Sequence, residues 1–215
     1  MIIHSGKAAS AFGGCTLHSS NGGLCLQVTK KGETGCYIKL RSKVLKDFQN
    51  MFKGLKLVII DEFSMLCQYN LYHIDMRLRE ICACNLPFGG VTVVLFGDPG
   101  QIPPVQTSPL WNELFMEGKR GENDQFGFKS YSLFQTVTLL VENQRVDFSL
   151  QSSMFFHGFL QRMRSGSNTY DDWLKVNDIC SKQMIGNEKW DSEGYSSNNA
   201  TYLFTTNRVS FVCFY

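Results

Sequence analysis

Long apolar runs are missing from this sequence of 215 residues, so no segment predicts a membrane-spanning helix, and Met1 begins no secretory signal. The sequence also has no large excess of charge of either sign, since 21 Lys and Arg residues against 19 Asp and Glu residues leave a net charge of +2. Any binding of nucleic acid must therefore come from a local groove rather than from the overall field. With 43% hydrophobic residues, the chain predicts a globular protein of one domain, or of one domain and part of another.

Cysteine pairs at metal-binding spacing are missing as well. The eight cysteines include no C-x-x-C pair, and none of the four histidines completes a zinc spacing. Cys82 and Cys84 come at the end of a predicted helix, where cysteine more often serves as a small buried hydrophobe. The pattern predicts reduced thiols in a cytosolic or nuclear setting.

The third absence is a glycine-rich phosphate-binding loop. Gly6 and Lys7 do not form one, because no glycine precedes them at the required spacing and Ala8 stands where a Ser or Thr would hold magnesium. The backbone of such a loop supplies most contacts to a triphosphate. We therefore expect these residues alone to bind ATP weakly or not at all.

The leading positive feature is an apolar strand that runs into two acids. Residues 57–60 are apolar and mostly β-branched, and Asp61 and Glu62 follow directly. Such a run predicts a strand buried on both faces, whose charged residues emerge at its carboxyl end, where open α/β sheets bind ligands. There Asp61 can hold a magnesium ion while Glu62 orients and deprotonates an attacking water. The alternative is a pair of acids at the N-terminus of a following helix.

A second apolar strand supports the first interpretation. Residues 91–96 predict another buried strand, followed by the turn-rich segment 97–105. Apolar residues at helical spacing lie between the two strands and predict a β-α-β crossover: Leu71, Ile74, Leu78 and Ile81. Both strands then end at the same edge, so that Gln101 can face the two acids and sense a terminal phosphate. Pro103 and Pro104, which follow Gln101, are rigid and would transmit a response to the phosphate to a neighbouring element.

Residues 61–65, 87–90 and 97–105 resemble helicase motifs II and III of the PIF-type (petite integration frequency) DNA helicases of superfamily one. This family includes the helicase part of Helitron transposons and is related to RecD. The resemblance implies an α/β fold: a RecA-like P-loop NTPase domain with a parallel sheet, followed by a second RecA-like domain. We expect residues 1–146 to form part of the first domain and residues 147–215 the beginning of the second. The family's P-loop precedes the matching segments, so the chain is expected to be a fragment that begins after it.

The N-terminal segments also resemble the family. Residues 5–9 are similar to motif Ia, and residues 12–19 to motif Ib, which lies beside single-stranded DNA in the family. The resemblance implies DNA contacts from the following four residues: Gly13, Gly14, Thr16 and His18. A glycine-rich turn that caps a helix or strand is the alternative. Residues 39–56 add six cations and two phenylalanines, which we interpret as a solvated helix face with Phe48 and Phe52 in the core rather than as a path for DNA.

The later part of the chain predicts a third buried strand at residues 137–141, which leads to Arg145. In the family, motif IV places an arginine here, and its guanidinium would grip a terminal phosphate and neutralise charge during transfer. A surface arginine at a strand end is the alternative. Further predicted elements are a short helix at 109–116, a surface loop at 118–127, a loop at 182–199 and a strand at 202–207.

Two helices are predicted between these segments. An apolar stripe is interpreted as core, and it consists of Phe155, Phe156, Phe159, Leu160 and Met163. A second helix opens at residues 171–173, with acids at its N-terminus.

Taken together, the resemblance implies an ATP-dependent DNA helicase that uses ATP and Mg²⁺ and acts on single-stranded DNA and duplex junctions in repair, recombination and telomere maintenance. Asp61 would hold the metal, Glu62 would be the base, and Gln101 and Arg145 would contact the phosphate. A eukaryotic source would imply the nucleus, with the mitochondrion as a further possibility. The alternatives are a non-catalytic remnant derived from a transposon, a DNA- or protein-binding module, and, last, an unrelated P-loop ATPase.

Overall fold

The computed structural model describes residues 2–3, 14–19, 23–26, 37–105, 107–112 and 122–184. The chain divides into two compact units, Met1–Leu139 and Leu140–Tyr215. The predicted domain boundary after residue 146 stays a prediction. None of the described helices is long and apolar enough to cross a membrane.

The first unit contains a parallel sheet of four strands in the order β2-β1-β3-β4. The strands are β1 (Ile2–Ile3), β2 (Cys15–Thr16), β3 (Leu57–Asp61) and β4 (Thr92–Leu95). β3 lies between β1 and β4, with Ile3 opposite Asp61 and Ile60 opposite Leu95. Two apolar runs therefore form adjacent parallel strands, which confirms the predicted α/β fold with a parallel sheet.

Two helices of the first unit follow their predicted patterns. Helix α1 (Ser42–Met51) exposes its lysines and buries Phe48, whose ring lies 5.9 Å from that of Phe52. The interpretation as a solvated helix face is confirmed. Helix α2 (Gln68–Cys82) connects β3 to β4 and carries the predicted apolar stripe, all of it buried: Leu71, Ile74, Leu78 and Ile81. The crossover places both strand ends at one edge of the sheet.

The region after β4 departs from the predictions. The predicted loop at 118–127 is wrong in its second half, because helix α3 (Glu122–Tyr131) begins with Glu122 and Asp124 in its first turn, where acids stabilise a helix. Of the predicted helix at 109–116, the described part forms a turn in which the Asn112 N–H donates to the Pro109 oxygen at 3.2 Å. Leu110 is fully buried.

The predicted strand at residues 137–141 is wrong. These residues have no strand pairing in the described part of the chain, and Val137 is 78% exposed and Val141 91% exposed. A β-strand needs a hydrogen-bonded neighbour and side chains packed against its faces. An apolar, β-branched sequence favours a strand, but it does not specify the neighbouring strand with which it must pair.

The second unit contains helices α4 (Gln151–Ser165) and α5 (Tyr170–Met184), and both were predicted. The assignment of the α4 stripe to a core is wrong, because Phe156 and Met163 are more than half exposed. Helical spacing defines a face, but it does not supply the surface that covers it. The loop predicted at 182–199 starts too early, since α5 reaches Met184; the remainder of it and the strand at 202–207 lie outside the described residues.

Candidate functional site

The predicted site lies where β3 and β4 end. The strand pairing continues for one step past the sheet, since the Phe96 N–H donates to the Ile60 oxygen at 2.7 Å and the Phe63 N–H donates to the Phe96 oxygen at 3.0 Å. Asp61 is the last residue of β3, and Glu62 follows it. The acidic pair and the start of segment 97–105 are therefore neighbours at the carboxyl edge of the sheet, where open α/β sheets bind ligands.

A left-handed backbone at Glu62 ends the strand. Its φ of 56° and ψ of 44° are unusual for a residue with a side chain, and its N–H donates to Asp61 Oδ1 at 2.9 Å. A 3-10 turn, Phe63–Met65, follows directly. Such strained residues cluster at functional sites, where surrounding structure holds them in place. Both carboxylates are half-buried.

Gly97 brings the second segment against the first. Its φ is 145°, and a Cβ atom at this position would lie 2.9 Å from the Phe63 nitrogen and 3.4 Å from Glu62 Cα. Only glycine fits such a close approach of two backbones. Gly97 was not among the predicted site residues, although a glycine directly after an apolar strand signals a close approach.

Gln101 lies in a tight turn beyond Gly97. Asp98 Oδ1 accepts the Gly100 N–H at 2.9 Å, and the Gln101 N–H donates to the Asp98 oxygen at 3.0 Å. Gln101 is exposed, in the segment that follows β4. Contact between Gln101 and a phosphate stays a prediction.

Arg145 lies in the second unit. It is exposed, and its N–H donates to Asn143 Oδ1 at 2.8 Å in a turn. Its predicted role in phosphate binding stays a prediction, as does the alternative of a surface arginine.

The motif Ib segment is described in part. Gly13 lies outside the described residues, whereas Gly14, Thr16 and His18 are half-buried. Thr16 ends β2, and the Ser19 N–H donates to its oxygen at 3.0 Å, so a turn follows the strand at once. This geometry agrees with a turn that caps a strand and leaves the DNA contacts as a prediction.

The acidic pair offers carboxylate oxygens, which are the kind of protein ligand that magnesium takes. Within the described ranges, no three His, Cys, Asp or Glu side chains converge to form a metal cluster. Magnesium is usually held by one or two carboxylates together with substrate phosphates and water. Asp61 alone at the strand end is therefore compatible with a metal that arrives with a nucleotide.

Comparison with protein families gives a match to the PIF1-like helicase family over residues 1–172. The chain is 28% identical over 208 residues to the ATP-dependent DNA helicase PIF1 of Saccharomyces cerevisiae (strain YJM789), covering 95% of this chain and 22% of that protein. It is 31% identical over 169 residues to the ATP-dependent DNA helicase Pif1 of Bdellovibrio bacteriovorus, covering 79% of this chain and 34% of that protein. The chain thus spans about a third or less of the length of these relatives.

Solved structures give the same fold. A crystal structure of Bacteroides Pif1 in complex with ADP-AlF3 and ssDNA matches with a TM-score of 0.51 and 25% identity, over 80% of this chain and 37% of that one. Pif1 helicase from Candida albicans matches with a TM-score of 0.53 and 23% identity, over 80% of this chain and 34% of that one. The parallel sheet of the first unit is therefore that of a RecA-like domain.

Proposed function

The chain belongs to the PIF1-like helicase family, and from this premise we propose that it works as part of an ATP-dependent DNA helicase. The observation that carries the proposal is the packing of Gly97 against Glu62 and Phe63, because it joins two helicase-like segments at one sheet edge. The names of the relatives, and the Bacteroides structure with ADP-AlF3 and ssDNA, support it.

The proposed mechanism assigns one task to each polar side chain at the edge. Bound ATP with Mg²⁺ would supply the terminal phosphate that water attacks. Asp61 would hold the metal, and Glu62 would orient the water and accept its proton as the new P–O bond forms and the bond to ADP breaks. Gln101 senses the terminal phosphate. Arg145 neutralises the charge that develops on it.

The proposed partners are single-stranded DNA and duplex junctions, with Gly13, Gly14, Thr16 and His18 beside the strand. Two RecA-like domains that close and open around ATP would move the strand along. Roles in repair, recombination and telomere maintenance, and a place in the nucleus or mitochondrion, belong to the same proposal.

The decisive experiment replaces Glu62 in a protein that joins these residues to a phosphate-binding loop and a complete second domain. Glu62→Gln keeps the size of the side chain but removes the base, so DNA-stimulated ATP hydrolysis should fall at least about 100-fold while nucleotide binding stays. Glu122→Gln, at an exposed position on α3, is the matched control. Near-normal turnover in Glu62→Gln would remove Glu62 from the role.

A second prediction concerns these 215 residues by themselves. They contain no G-x-x-x-x-G-K-[ST] sequence, and the backbone of that loop supplies most contacts to a triphosphate. Isothermal titration with Mg²⁺ and ATP should show weak binding or none. This outcome also suits the alternative of a non-catalytic binding module, and micromolar affinity would contradict the prediction.

A further inference from the structure

The exposed loop that carries Gln101, residues 98–105, is anchored at its beginning to the acidic segment. Hydrogen bonds between Phe96 and the backbone of Ile60 and Phe63, at 2.7 and 3.0 Å, hold the chain where it enters the loop. Gly97 then lies directly against Phe63. The loop therefore starts from a fixed point next to Glu62.

The chain is anchored a second time where it leaves the loop. The bond donated by the Gln68 N–H to the Ser108 oxygen is 3.4 Å long, and Cys67 forms an antiparallel β-bridge with Pro109. The ring of Phe63 meets the ring of Trp111 edge-on, with 6.2 Å between centroids. Both ends of the loop are thus attached to the same short segment that begins with the acidic pair.

The side chain of Gln68 is central to this second anchor. It is fully buried, and its Nε2 donates to the Asn112 oxygen at 2.9 Å and to the Leu110 oxygen at 3.4 Å. An amide with two N–H groups can bridge two carbonyls, and a shorter or apolar side chain would leave those carbonyls unpaired in the interior.

Helix α3 fixes Gln68 from the other side. A Cβ atom at Gly127 would lie only 1.8 Å from the backbone oxygen of Gln68, so the helix packs its backbone directly on that of Gln68. Gln68 can therefore shift little without moving α3 as well. Because Gln68 is itself held in place, it can fix the position of the residues that are bonded to it.

We propose that Gln68 is a positioning residue for the proposed ATP hydrolysis, because it fixes the end of the Gln101 loop relative to Glu62. The inference rests on the proposed function. Because both ends of the loop are held, only the residues between the two anchors can move when a terminal phosphate binds. Gln101 then keeps a defined distance from the base, and small errors of position at such sites reduce catalysis strongly.

The first test measures hydrogen exchange in the 215-residue chain. Gln68→Met keeps the length of the side chain and removes both donors, so the hydrogen-bonded amides of Gly100 and Gln101 in the loop should exchange about fivefold faster, while those in β3 and β4 do not change. Asn70→Ala is the matched control, since it alters a buried amide on the same helix and leaves the Leu110 and Asn112 bonds intact. Gln68→Leu, which also lacks both N–H donors, gives the same comparison if Gln68→Met does not fold. Unchanged exchange in the loop, or equal acceleration throughout the chain, would overturn the proposal.

The second test separates turnover from nucleotide binding in the full-length form of the proposed helicase. Gln68→Met should lower kcat about tenfold while KM for ATP changes less than about twofold, because the loop is not the main grip on the nucleotide. An unchanged kcat, or an equal loss in Asn70→Ala, would overturn the role of Gln68. Absence of ATP hydrolysis in the unaltered protein would instead refute the proposed function, and the exchange experiment would still decide whether Gln68 anchors the loop.

Discussion

Helices in both units of the chain carry an apolar face, but the two units bury that face to different extents. In the first unit, the apolar face of α2 is buried against the sheet, and the core extends from Leu17 to Leu110. In the second unit, α4 and α5 expose large apolar side chains such as Phe156 and Trp173. Asp172 is the only buried residue among those of the second unit whose side chains the structure describes.

The difference shows what a pattern can and cannot determine. An amphipathic stripe decides that a helix forms and which face is apolar. Burial of that face requires elements that are distant in sequence. β3 and β4 supply them in the first unit, whereas polar contacts between α4 and α5 hold the described part of the second.

The largest expected contrast comes from one leucine in each unit. Leu78 on α2 is fully buried and Leu160 on α4 is 44% exposed. Leu78→Ala should lower the free energy of unfolding by about 3 kcal/mol, because it leaves a cavity in a packed core, and Leu160→Ala should cost less than about 1 kcal/mol. Urea unfolding followed by circular dichroism measures both. Similar losses would show that α4 is covered as well as α2 is.

A glycine in each unit gives the next contrast. Gly97 has a positive φ and no room for a side chain, whereas at Gly166, which ends α4 with a φ of 67°, a Cβ atom would meet nothing within 4 Å. Gly97→Ala should therefore cost about 2 kcal/mol from strain and overlap together, and Gly166→Ala about 1 kcal/mol from strain alone. The same urea curves provide the test. A smaller loss at Gly97 than at Gly166 would mean that the acidic segment yields easily.

Much of the first unit could be predicted from local pattern. The apolar runs that became β3 and β4, and the helical spacing between them, are read directly from neighbouring residues. The start of segment 97–105 lies beside the acidic pair, as the crossover rule predicts. The position of Gln101 relative to the acids stays a prediction. These features needed no knowledge of distant contacts.

The unpredicted features depend on distant contacts. Gln68 bonds to oxygens 42 and 44 residues away, and no local periodicity reports such a pair. Gly127 was placed in a predicted loop, so its close approach to Gln68 was not foreseen. The strand predicted at residues 137–141 is wrong for a related reason, because a β-prone composition does not specify a neighbouring strand. The roles of Arg145 and of the motif Ib residues depend on ligands and stay predictions.

The polar contacts that stabilise the second unit meet at Asp172. Arg162 on α4 donates to both of its carboxylate oxygens, and the Thr169 N–H donates to Oδ2 at 3.0 Å. The Asp172 N–H returns a bond to Thr169 Oγ1 at 3.2 Å, which completes a capping box at the start of α5. One carboxylate thus joins two helices that lack a described apolar core.

We expect acid to weaken these contacts, which is the smallest effect predicted here. The Arg162 guanidinium, followed by the Thr169 N–H, holds the pKa of Asp172 well below its usual range. A lowered pKa in the folded state means that the stabilisation is fully present above the unfolded value of about 4 and is lost as pH falls toward the folded one. Hydrogen exchange in α4 and α5, corrected for intrinsic rates, should therefore speed up relative to α2 between about pH 4 and pH 2. Asp172→Asn should exchange faster at neutral pH and lose most of this acid dependence. If it keeps the full dependence, another group stabilises the pair of helices.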